Sequence, residues 1–292
     1  MITSSQGLTI AFIAVFCVAI CGATKKQLAD RAGALAAIWF SLAGGVVLGL
    51  IYFGLFGWPQ VDLEITFSWL PLCATMGIFC EVTYVASIRG HDLSLAIPFK
   101  TSNVLFSSLM AWLLLGETVS LLAVIGMLLI AAGGYLLLWK RESFAWWLPL
   151  RRVFSEKASR YMLASMLVFS MLAACQKQAA ISSSPLFFLF SIVCIEFVVF
   201  SCWCFLAGQN PVAIFREHKS LCLRLPVLWT FSVGLLYVAL NAANISTVSA
   251  IMQLEVLISL ALARHLLKEK ESLSRLPAAC IMLLGAVLAV FY

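Results

Sequence analysis

Lys100, Asn103 and Ser107 stand at i, i+3 and i+7 inside an otherwise apolar stretch, so on a helix they share one face. An ammonium, an amide and a hydroxyl in one stripe are groups that hold a polar or anionic molecule. Met252, Glu255 and Ser259 form a second stripe with the same spacing. Glu81 with Tyr84, and Tyr237 with Asn241 and Asn244, make comparable one-sided sets in two further apolar stretches. A charge at the centre of a bilayer costs at least about 2.5–3.5 kcal/mol on insertion scales, which makes such residues candidates for a pathway through the membrane. Packing between helices by buried hydrogen bonds is the plainer alternative. Helical rise puts Lys100 and Glu81 each roughly 9 Å from the same membrane face, which predicts an ion pair between them. Glu255 and Glu196 both fall near the midplane. The helix of Glu196 offers no companion polar face, so this carboxyl is expected to be protonated or turned to a neighbouring helix.

The elements that must carry these residues are transmembrane helices. Hydrophobic residues make up 63% of the chain and charged residues 11%, against a soluble average near a quarter charged, and mean hydropathy is +1.04. Apolar windows long enough to span a bilayer run near 8–24, 33–56, 67–88, 93–115, 119–139, 161–181, 185–207, 225–243, 246–266 and 276–292. The pattern predicts an all-α integral membrane protein of ten helices, with residues 1–139 and 161–292 as two five-helix halves. Residues 140–160 form a basic amphipathic linker whose Trp146 and Trp147 suit the interface. No stretch is left for a soluble catalytic or nucleic-acid-binding module. The first apolar segment is expected to stay as a retained helix, having no basic residue ahead of it and no good cleavage site.

An internal repeat ties the two polar stripes together. Shifted by 152 places, residues 94–135 fall on 246–287: Asn103, Ser107, Glu117 and Gly133 meet Glu255, Ser259, Glu269 and Gly285. Each copy reads as an apolar helix, a polar corner (Gly116-Glu117 or Lys268-Glu269) and a second apolar helix with a late glycine. Five helices per half is an odd number, so the second half enters the membrane from the opposite face. Inverted repeats of this kind are typical of secondary transporters. A two-fold axis in the membrane plane would set the Lys100 and Glu255 faces opposite each other around a central cavity, with Pro98 freeing backbone carbonyls toward it.

The net charge of +6 does not call for an acidic partner. All Lys and Arg except Lys100 and Lys177 fall at the odd-numbered connections, while the even ones hold Asp62, Glu64 and Glu117. The positive-inside rule then places the odd connections in the cytoplasm and both termini outside. Lys177, Arg264 and His265 sit near helix ends, where long side chains snorkel to the headgroups. Most of the cysteines lie in apolar windows with no CxxC pair, so neither metal nor disulfide is assigned. Gly126, Gly133, Gly134, Gly285 and Ala286 are close-packing positions between helices or protomers. Monomer and homodimer both remain open.

Lys25-Lys26-Gln27 and Lys177-Gln178 close the first helix of each half, residues 91–98 (His91 to Pro98) enter helix 4, and Leu115-Gly116-Glu117 precedes Gly126 and Gly133-Gly134. In the second half Lys268-Glu269 and Gly285 keep the pattern, while Ala250 stands where Pro98 stands in the first. Across nearly its whole length the chain resembles the drug/metabolite transporter superfamily, specifically two EamA-type domains. That resemblance implies a ten-helix carrier of the inner (plasma) membrane, moving a small metabolite by alternating access, with exporters of amino acids among the well-known bacterial members. It also implies cytoplasmic termini, against the charge bias.

The expected function is therefore a secondary carrier for a small polar or zwitterionic metabolite, an amino acid being one example, with export favoured. Lys100 would meet an anionic group, and Glu255 or Glu81 a cationic group or a proton. With no ATP-binding P-loop in the sequence, a proton or an exchanged counter-substrate is the candidate source of energy. No cofactor is expected. A flippase or accessory protein for a lipid-linked intermediate is the alternative, and would need a side opening to lipid. An intramembrane enzyme has little support, since HExxH, GxSxG and paired-aspartate motifs are missing and the histidines lie at connections.

Overall fold

A computed structural model of the protein describes residues 4–61, 63–115, 121–137, 155–180, 184–242, 251–269 and 274–290. In the first half, α1 (Ser4–Ala32), α2 (Ala34–Phe56) and α3 (Leu63–Ile88) are followed by a segment in three parts. These are α4 (Leu93–Ala96), a 3₁₀ turn (Ile97–Thr101) and α5 (Ser102–Leu115), with α6 (Leu121–Leu137) closing the half. The second half holds α7 (Lys157–Ala180), α8 (Pro185–Leu206), the short α9 (Pro211–Glu217), α10 (Lys219–Ala242), α11 (Glu255–His265) and α12 (Leu276–Val290).

Among the described residues, five stretches are long and apolar enough to cross a membrane, within α1, α2, α3, α8 and α10. Their outward faces carry Phe12, Phe16, Leu50, Phe79, Val198 and Phe231, all exposed, as lipid-facing side chains must be. The polar corner at Gly116-Glu117, most of the 140–160 linker and its tryptophans, Asn244 and the window start at 246 lie outside the described residues.

Packing follows the internal repeat. The most extensive contacts join α6 with α12, α1 with α10, α3 with α7 and α2 with α8. Exchange the halves, and the α1–α10 contact becomes α7–α3 while the other two map onto themselves. This is the pattern a two-fold axis between the repeats produces. One apolar core gathers around α5, α7, α11 and α12, with Ile97, Phe99, Met162, Leu260 and Met282; another lies between α1, α2, α8 and α10, with Leu28, Leu42, Phe200 and Leu225.

Small residues permit these close crossings. Gly133 lies against Met282 and the Ala278 carbonyl, and Gly285 lies on Gly126 and Ile130, so these glycines serve the α6–α12 contact within one chain. Gly44 of α2 faces the backbone of Pro226 in α10, where an added Cβ would come within 2.7 Å of Cα and 2.8 Å of the carbonyl oxygen. Backbone cannot turn aside as a flexible side chain can. Gly44→Ala is therefore expected to cost about 1–3 kcal/mol, the usual scale for overpacking. A drop of several degrees in thermal unfolding of the purified protein would register it, whereas an unchanged transition would mean that α2 and α10 separate freely.

Both segments that carry the polar stripes are interrupted. Pro98 has no N–H to donate and its ring crowds the preceding turn, and the chain answers with the 3₁₀ turn that contains Lys100. In the second half Ile251 and Met252 are helical, a turn follows at Gln253-Leu254 in which the Leu254 N–H donates to the Ile251 carbonyl (3.0 Å), and α11 starts at Glu255. The shift of 152 places carries Thr101 and Ser102 onto Gln253 and Leu254, so the second break falls where the 3₁₀ turn ends in the first half. Discontinuous helices at matching positions of two halves are a common way for transporters to build a site in mid-membrane.

Candidate functional site

The two breaks meet in an ion pair. Lys100 Nζ lies 2.7 and 2.8 Å from the two carboxylate oxygens of Glu255, a cross-repeat contact that both oxygens share. A second pair lies beside it: Lys25 Nζ of α1 reaches Glu81 Oε2 of α3 at 2.5 Å. Tyr84 stands between them, with Lys25 Nζ 5.6 Å and Lys100 Nζ 5.8 Å from its ring centroid. Both ammoniums are within range of the electron-rich ring face. The Tyr84 hydroxyl lies over Gly22, where a Cβ would come to 3.3 Å, so α1 makes room for this ring.

The predicted Glu81–Lys100 pair does not form. A similar expected depth says nothing of the direction a side chain faces. Lys100 points across the repeat to Glu255, and Glu81 is claimed by Lys25. Lys25 and Lys26 also depart from the expected helix end with loop charges. No residue between Gly22 and Gly33 stops a helix, so α1 runs on to Ala32, and Gly33 at φ 99° ends it. Lys26 is buried too, donating to the carbonyls of Ile88 (2.9 Å) and His91 (2.5 Å) and pairing with Asp30 (2.9 Å).

The other expected residues sort as follows. Asn103 follows Lys100 by one turn, and its Oδ1 is buried without a hydrogen-bond donor among the described residues. Ser259 is buried one turn beyond Glu255. Met252 packs with Ala11 and Ala239 at the junction of α1 and α10. Ser107 lies in α5, and Tyr237 and Asn241 in α10; their side chains lie outside the described set. Under the repeat the partners of Lys100 and Glu255 are Met252 and Asn103. A charged pair thus stands on one side of the axis and a neutral pair of positions on the other.

Beyond Lys100 the same segment is gripped at its start. The Glu269 carboxylate accepts the backbone N–H groups of Leu93 (2.7 Å) and Ser94 (3.0 Å), while Arg275 pairs with Asp92 (3.0 Å) and donates to Ser94 Oγ (2.5 Å). Lys268, at φ 56°, makes the turn that brings Glu269 back. The Lys268-Glu269 corner visible in the repeat is thus an inter-repeat clasp on the start of this segment. Among the described residues no three His, Cys, Asp or Glu side chains gather as a metal site.

Two tandem helical repeats, joined by a buried ion pair where their helices are interrupted, define a multi-pass membrane protein of transporter type. The chain belongs to the EamA-like transporter family, whose model matches residues 5–139 and 157–291, one match per half. A solved crystal structure of a protein covers 97% of this chain and 95% of its own at 17% identity, with a TM-score of 0.56; this likeness speaks for the fold alone. No curated protein matches the sequence.

Proposed function

We propose that the protein is a secondary carrier of the plasma membrane that moves a small zwitterionic metabolite, such as an amino acid, by alternating access, in the direction of export. One observation carries the reading. Each ion pair has one sealed member and one accessible member: Glu255 is 6% exposed against 28% for Lys100, and Lys25 is 4% exposed against 20% for Glu81. The accessible groups are therefore one ammonium and one carboxylate, on either side of Tyr84. A cargo bearing both charges can meet Lys100 with its anion and Glu81 with its cation, replacing partners already desolvated. A neutral solute would leave both pairs intact and gain little.

Comparison of metabolite pools in cells with and without the gene tests this. Loss of an exporter should raise the internal pool of one or more zwitterionic metabolites, and counterflow into proteoliposomes should then accept that solute and reject its esterified or N-acylated forms. Changes confined to lipid-linked species would overturn the reading in favour of a flippase.

A further inference from the structure

Glu196 takes no part in these ion pairs, yet among the described residues it is the carboxyl most completely enclosed after Glu255, at 5% exposure. It projects from α8 onto Gly77 of α3, and a Cβ at Gly77 would overlap its Oε1. Only glycine leaves room for it there. One helical turn along the same face of α3 is Glu81, with Lys25 attached. The described charged groups whose fields reach Glu196 are Glu81 from α3 and Lys25 from α1, with the Cys80 thiol of α3 also beside it. No hydrogen bond or ion pair joins Glu196 to another described residue.

We propose that Glu196 is the proton site of the carrier, exchanging one proton against the cargo's cationic group; the inference rests on the zwitterion reading above. A carboxylate sealed in an apolar wall without a partner is held at least cost as the neutral acid. It keeps that form while Glu81 satisfies Lys25. A cargo ammonium that engages Glu81 deprives Lys25 of its counter-charge. The O–H bond of Glu196 then breaks with its electron pair left on the carboxylate, which becomes the counter-ion of Lys25, and the proton leaves by the water that reaches Glu81. Release of the cargo reverses each step. One proton thus moves against each cationic cargo, and a proton gradient can drive export.

Infrared spectra of the full-length protein in lipid nanodiscs at neutral pH test the coupling without any cargo. The wild type should show the carbonyl stretch of a protonated carboxylic acid, and Glu196→Gln should remove it. Glu81→Gln, which frees Lys25 as a bound cation would, should remove the same band, and adding Lys25→Met to it should bring the band back. A spectrum in which Glu196→Gln removes no acid band, or in which Glu81→Gln leaves that band in place, overturns the proposal. If Glu196→Gln does not yield monodisperse protein, Glu196→Asp serves instead: the band should shift, and an unshifted band counts against the assignment. Failure of the zwitterion reading would look different, with zwitterions refused in counterflow while the infrared coupling stands.

Discussion

Lys100→Gln is expected to abolish transport and to destabilise the protein by about 3–5 kcal/mol, the scale for removing one member of a buried ion pair. The larger share of that loss comes from Glu255, left in a nearly sealed position at 6% exposure with neither carboxylate oxygen paired to its ammonium. Glu255→Gln should also stop transport but cost less stability, because Lys100 at 28% exposure can turn its ammonium to water. The double variant Lys100→Met/Glu255→Leu removes both charges together and should recover stability beyond at least one single variant, without recovering transport. Thermal unfolding of the purified variants, read beside counterflow in proteoliposomes, separates the two effects. Full transport by both single variants would mean that the pair only fastens one repeat to the other.

The contrast between Lys100 and Lys25 shows what a sequence of this kind discloses. Lys100 is conspicuous because no other charged residue stands between Asp92 and Glu117, and the repeat aligns its stripe with that of Glu255. Both members of the cross-repeat pair could therefore be named, although their partnership could not. Angular position around a helix depends on how the helices pack, and the interruption at Pro98 rotates the stripe further. Lys25 was hidden by its neighbourhood: Lys26, Asp30 and Arg31 follow closely, and such a cluster ordinarily marks a helix leaving the membrane. The signal that could have revealed it is the missing stop before Gly33, since a helix that continues to Ala32 carries both lysines back among its neighbours.

Glu269 was legible as a landmark but not as a contact. Its register with Glu117 marked the polar corner of each repeat, yet nothing in the spacing told that its carboxylate would cross to the backbone of Leu93 and Ser94. Backbone N–H groups at a helix start are identical whatever the side chains, so a carboxylate that caps another segment leaves no pairing pattern in the sequence. Glu196 is the opposite case. Its place inside an apolar window was evident, but its surroundings were not, because the residue that makes room for it is Gly77, on a different helix in the other repeat.

A reporter active only in the cytoplasm should be bright when inserted within residues 140–160 and dark when fused after Tyr292. Burial of Lys25 and Lys26 takes two cations out of the connection after the first helix, since both are held by groups within the protein. The bias survives their removal. Lys140, Arg141, Arg151, Arg152, Lys157 and Arg160 all lie in the central linker, while Asp62, Glu64 and Glu117 lie at the alternate connections. Translocating one elementary charge against the membrane potential costs about 2.3 kcal/mol per 100 mV, so moving six cations outward is far harder than leaving them inside. An odd number of spans between linker and tail would then put Tyr292 on the far side. The opposite pattern, a bright tail and a dark linker, would show that the orientation implied by the family resemblance overrides these charges. The clasp of Glu269 and Arg275 on residues 92–94 would then stand at the outer face of the membrane instead of the inner one.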